Sequence, residues 1–174
     1  MLTVTRLFKA MFLSGCIAVA GCACVPSSID EELDKILADV GNQYAADTRI
    51  SVWEVKANKT SDGWLIKGKT DRRDAFDELN NRLHAKKMPV SVRVAVLPQG
   101  NAEIGDRAWA LVNVSVATIK KEPRFAVAAT TQALVGTPLR LLEFKTPFWR
   151  VQMPDGYIGW VHRLQIARMS AKEL

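Results

Sequence analysis

Pro154-Asp155-Gly156-Tyr157-Ile158-Gly159-Trp160-Val161 joins a turn signal to an alternating strand. Proline, aspartate and glycine supply the backbone angles of a tight turn. Upstream, Phe148-Trp149-Arg150-Val151-Gln152-Met153 alternates in the same way, so the two segments predict a β-hairpin. Strand side chains alternate with period two, which puts Trp149, Val151 and Met153 on one face of the first strand and Ile158 and Trp160 on one face of the second. Both tryptophans are expected in the core of a small twisted sheet. Gly159, between two large residues, marks a place where another backbone or a ligand comes close. Tyr157 falls on the face opposite Ile158 and Trp160, beside Asp155 in the turn. An aromatic ring next to a carboxylate suits a peptide ligand that carries amines, so Tyr157 and Asp155 are the candidate ligand-binding residues. A purely structural role in the turn is the alternative.

Two further segments extend the pattern. Val116-Ala117-Thr118-Ile119-Lys120-Lys121-Glu122-Pro123 reads as a strand, a short basic-polar stretch and a proline. Val135-Gly136-Thr137-Pro138-Leu139-Arg140-Leu141-Leu142 reads as a Gly-Thr turn before a hydrophobic strand. With the hairpin, these segments make residues Val112 to Val161 resemble the bacterial SH3-like domain of cell-wall enzymes and envelope proteins. Lys120 stands where that family usually has arginine. The resemblance implies an all-β barrel over 105–168, with a tail over 169–174. The tail from Arg168 to Leu174 looks like the start of a linker helix.

Ahead of this unit the patterning changes. Ser28-Ile29-Asp30-Glu31 has the form of a capping box, and Ile29, Leu33, Ile36, Leu37 and Val40 then fall on one helical stripe that Gly41 can end. Arg49 to Val55 reads as a strand, a polar turn through Asn58 to Gly63 follows, and Trp64 to Lys69 reads as its hairpin partner. Thr70 or Asp71 is expected to cap a second helix with Ala75, Phe76, Leu79 and Leu83 inward, running to about Lys86. Val90 to Val96 alternates as a last strand. The order α-β-β-α-β over 28–98 predicts an α+β module with helices on one face of a small sheet. The stretch from Asp62 to Thr70 before a helix resembles the BON domain, an envelope module. Pro98-Gln99-Gly100-Asn101 is turn chemistry, so 99–104 is read as a linker between units with separate cores.

The first residues read differently again. Arg6 and Lys9 precede an apolar run from Ala10 to Gly21, shorter than the ~20 residues a membrane-spanning helix needs. A basic start, a short apolar middle and small residues at the end form a secretory signal over 1–21. Leu13-Ser14-Gly15-Cys16 and Val19-Ala20-Gly21-Cys22 both read as lipoboxes, but only the second leaves an apolar middle of normal length. The resemblance to bacterial lipoproteins implies lipidation of Cys22 and a tether over 22–27. Each buried methylene adds ~0.8 kcal/mol of membrane affinity, so two or three acyl chains hold firmly. An ordinary signal peptide with incidental cysteines is the alternative.

The 174 residues suffice for one medium or two small domains, and the formal charge is +6. All three cysteines, Cys16, Cys22 and Cys24, precede the folded part, which leaves it no disulfide framework and no zinc motif. Bacterial SH3-like domains often accompany an NlpC-type cysteine peptidase, whose chemistry needs a thiolate and a histidine base. The nucleophile is missing here, and His84 and His162 read as surface or capping residues. Basic residues at Lys67, Lys69, Arg72 and Arg73 are interleaved with acids, as on a solvated helix face, and an exported protein meets no nucleic acid.

The expectation is therefore an exported lipoprotein, anchored in the cell envelope by its lipid. It would act without catalysis or cofactor, binding peptidoglycan stem peptide or a cell-wall enzyme. Two alternatives stand beside it: the N-terminal part of a truncated or split NlpC-type endopeptidase, and a structural envelope protein that binds another protein.

Overall fold

Leu33, Ile36, Leu37 and Val40 are buried along one face of helix α1 (Ser28–Tyr44), as their spacing requires. The structure is a computed structural model that describes residues 28–98 and 104–174. The expected signal, the lipidation site Cys22 and residues 99–103 of the linker lie outside the described residues. Gly41 does not end α1, which continues to Tyr44. A Cβ at Gly41 would stand 2.7 Å from two atoms of the Trp53 indole, so this glycine lets the helix lie against that ring.

Strands β1 (Trp53–Thr60) and β2 (Gly63–Thr70) form an antiparallel hairpin. Helix α2 (Arg73–Ala85) then carries the chain to β3 (Val90–Val96), which pairs in parallel with β2. A helix crossover is what joining parallel neighbours requires. Leu33, Val40, Val55, Ile66, Ala75, Leu79 and Leu83 form the common core, while Phe76 is only half-buried.

Two local expectations change. The first strand starts at Trp53 rather than Arg49, because residues 47–51 form a turn in which the Asp47 carbonyl accepts the N–H groups of Ile50 (3.2 Å) and Ser51 (3.1 Å). Neither Thr70 nor Asp71 caps α2. The N-cap residue is Arg72, without a side-chain cap bond. Thr70 Oγ1 accepts the Arg72 N–H at 3.0 Å, and Asp71 Oδ1 reaches across to accept the Val52 N–H at 2.6 Å.

The second unit contains β4 (Trp109–Val112), β5 (Val116–Lys120), β6 (Ala129–Leu134), β7 (Pro138–Lys145), β8 (Phe148–Gln152), β9 (Ile158–His162) and β10 (Ile166–Met169). They form one antiparallel sheet in the order β10-β4-β7-β8-β9-β5-β6. Ile119, Leu139, Leu141, Trp149, Val151 and Val161 are central to its core. The described residues are thus mostly β, with two α-helices. The expected linker helix is absent: Arg168 and Met169 end β10, paired with Ala110 and Trp109.

The hairpin forms between β8 and β9, but its two tryptophans face opposite ways. Trp149 pairs with Val161 and Val151 with Gly159, all on the core face. Arg150 pairs with Trp160 and Gln152 with Ile158, on the other face. The five residues between the strands set a register that puts Trp160 out of phase with Trp149. Trp160 is nevertheless only 6 % exposed, with the Arg150 guanidinium 5.4 Å from its ring centroid. Val52 and Leu97 from the first unit meet Leu142 and Ile158 in a small apolar cluster, and the Ile158 N–H donates to the Arg49 carbonyl at 2.7 Å.

Candidate functional site

The side of the hairpin that carries Trp160 forms one wall of a cleft of about 510 Å³ between the two units. Trp53, Glu54, Lys121, Arg150, Tyr157 and Trp160 are among its lining residues. The Asp47 turn positions the opposite wall. The Asp47 carboxylate accepts the Arg49 N–H at 2.9 Å and the Arg49 Nε–H at 3.0 Å. These bonds hold the Asp47 carboxyl at about 2, well below its usual range, and push the Arg49 guanidinium up.

Arg150 joins the walls. Its Nη2 donates to Glu54 Oε1 at 2.6 Å, and its Nη1 reaches Glu143 Oε2 at 3.5 Å. The guanidinium lies 5.4 Å from the Trp160 ring centroid. Glu143 also pairs with Lys69 of β2. Two cations and two carboxylates thus alternate across the junction, and the Arg150 side chain is 13 % exposed. Its Nε is buried without a partner among the described residues.

The turn residues have separate parts. Asp155 is exposed, and its Oδ1 accepts the Tyr157 N–H at 3.0 Å. The Gly156 N–H donates to the Met153 carbonyl at 2.9 Å, with φ +87°, which a Cβ would disfavour. This arrangement presents Tyr157 to the cleft next to Trp160 rather than away from it. Asp155 itself does not line the cleft. Gly159 does admit a neighbouring backbone: a Cβ there would lie 2.4 Å from Ile119 Cγ2 and 3.0 Å from the Lys120 carbonyl oxygen.

Lys120 closes the loop after β5, its Nζ donating to the carbonyls of Phe125 (2.8 Å) and Val127 (2.6 Å). His162 Nδ1 accepts the Leu164 N–H at 3.4 Å, and its ring packs against Phe125 and Phe148. His84 is exposed near the end of α2. Among the described residues no group of three His, Cys, Asp or Glu side chains could hold a metal ion.

Arg150, Glu54 and Trp53 were not among the residues expected at a site. Arg150 carried a signal, as a cation within an alternating hydrophobic strand. Glu54 and Trp53 carried none, because their place in the cleft depends on the docking of the two units.

No curated protein matches the chain. Among solved structures, NlpC2 from Trichomonas vaginalis is 23 % identical over 37 % of this chain, with a TM-score of 0.31. The match covers 24 % of that protein, so this chain spans about a quarter of its length. Residues 119–166 match the family model described as the bacterial dipeptidyl-peptidase SH3 domain. The antiparallel sheet that carries the hairpin and one wall of the cleft is therefore a bacterial SH3-like domain.

Proposed function

We propose that this chain is an exported envelope lipoprotein, anchored through Cys22, whose SH3-like domain binds peptidoglycan stem peptide without catalysis. The observation that carries this reading is the cleft, where Trp53, Tyr157 and Trp160 stand among Arg150, Lys121 and Glu54. Aromatic faces supply contact area at low entropy cost, and charges of both signs suit a short peptide bearing amines and carboxylates. Residues 28–98 and 105–168 are the two folding units, and the first supplies the second wall. Its element order, with a glycine-started strand leading into α2, supports a likeness to the BON domain.

Retention on purified cell-wall sacculi tests the reading. Tyr157→Ala should weaken retention while leaving the thermal transition nearly unchanged, since Tyr157 is only half-buried. Asp155→Asn preserves the acceptor of the turn, and Asp155 does not line the cleft, so this variant should bind like the parent. A parent protein that fails to bind sacculi would sink the proposal.

The family match favours a second reading, in which the chain works with a cell-wall peptidase that supplies the catalytic domain. A Cys-His peptidase domain encoded directly downstream would support that reading over an autonomous binding protein.

A further inference from the structure

A second cavity, of about 700 Å³, opens beside β10 and shares no lining residue with the cleft. Arg107, Arg163 and Arg168 surround it, with Phe144, Trp149 and Leu164 as apolar walls. Phe144 and Trp149 pack with ring centroids 4.5 Å apart, and the Arg168 guanidinium lies 4.7 Å from the Trp149 centroid. Arg168 is held in place: its Nη2 donates to the carbonyls of Ile104 (2.7 Å) and Arg107 (3.3 Å). Its Nη1 has no acceptor among the described residues, and its Nε is buried and unpaired. Arg163 is exposed and has no ion pair among the described residues. Arg107 has one carboxylate near it, Glu173 Oε1 at 3.6 Å.

We propose that this cavity is a binding site for a phosphoryl group. Guanidinium forks match the oxygens of phosphate and carboxylate alike, so charge decides between them. Three arginines against one glutamate leave two positive charges, which a carboxylate half-neutralises and a phosphate of about −2 matches. Arg168, stacked and tied to backbone, is a preorganised donor, while Arg107 and Arg163 close from the rim. Leu164, 69 % exposed, lies beside the site where the carbon chain of a phosphate ester would continue.

The full chain is titrated with inorganic phosphate and glycerol phosphate, with chloride at matched ionic strength as control, and followed by tryptophan fluorescence. Saturable binding is expected, weakened about tenfold by Arg163→Ala and by Arg107→Ala, as loss of one charge-assisted bond implies. Both side chains are exposed, so these variants keep the fold, whereas Arg168→Ala would also release two carbonyls. Sedimentation with vesicles of phosphatidate in phosphatidylcholine, against phosphatidylcholine alone, identifies the source, because phosphatidate carries the dianionic monoester. Vesicle binding displaced by free phosphate supports a lipid headgroup, and phosphate saturation without vesicle binding supports a soluble ester. A response equal to that of chloride, binding unaffected by both variants, or vesicle binding that phosphate does not displace would each overturn the proposal.

Discussion

Asp47 and Arg49 show how two exposed side chains set the position of a wall. Their paired bonds hold the turn whose Arg49 carbonyl receives the Ile158 N–H from the other unit. The folded carboxyl titrates at about 2, below the ordinary value of ~3.9. A depressed carboxylate contributes stability that is present above the ordinary value and is lost as pH falls through the folded one. The turn should therefore loosen between about pH 4 and about pH 2. An NMR titration should place the Asp47 midpoint near the lower limit, with the Arg49 and Ile158 amide signals following it. A midpoint near the ordinary carboxylate value would mean that the pair does not hold the turn in solution.

At the scale of elements, the hairpin depends on close approach between β9 and β5. Gly159 admits the Ile119 side chain, which is fully buried, and the Lys120 carbonyl. Adding a methyl group forces one of these strands outward, and overpacking of this kind costs ~1–3 kcal/mol. Gly159→Ala should lower the denaturant midpoint accordingly. Because the nearest atom is Ile119 Cγ2, Ile119→Ala should cost less in the Gly159→Ala background than in the parent. Strict additivity would show that the backbone contact, and not the side chain, is limiting. The same register carries Trp149 into the core and leaves Trp160 for the junction, so the two tryptophans of one hairpin stabilise different parts of the molecule.

Across the whole molecule, two cores meet through the Val52–Leu97–Leu142–Ile158 cluster and the Lys69–Glu143–Arg150–Glu54 chain of charges. Glu143 is the shared member, and its side chain is 15 % exposed. Removing it leaves the partly shielded Lys69 without its carboxylate and reduces Arg150 to its pair with Glu54. The cost should fall between that of an exposed pair and that of a buried one, at ~1–3 kcal/mol. Glu143→Ala is expected to separate thermal unfolding into two transitions as the units uncouple. A single transition at the parental midpoint would show that the apolar cluster, the Arg150–Glu54 pair and the Ile158–Arg49 backbone bond join them without Glu143.

The terminal hairpin, the amphipathic α1 and the alternating β3 were legible in the sequence because each is written in short-range periodicity and turn chemistry. The Gly-Thr turn and the strand after it were legible for the same reason, and so was the SH3-like character of the second unit. Local pattern also singled out Tyr157, but on the face away from Trp160, whereas both line the same cleft. It could not say which face of β9 meets which face of β8, since a one-residue change of register exchanges the two faces of a strand. Gly41 looked like a helix stop because its role, contact with Trp53, lies with a residue on another element. The residues from Arg168 onward looked helical because their partner, β4, lies more than fifty residues earlier in the chain. The cleft was decided by tertiary structure alone. Arg150, Glu54 and Trp53 come together only when two separately patterned units dock, and charges that far apart along a chain leave no mark in its local periodicity.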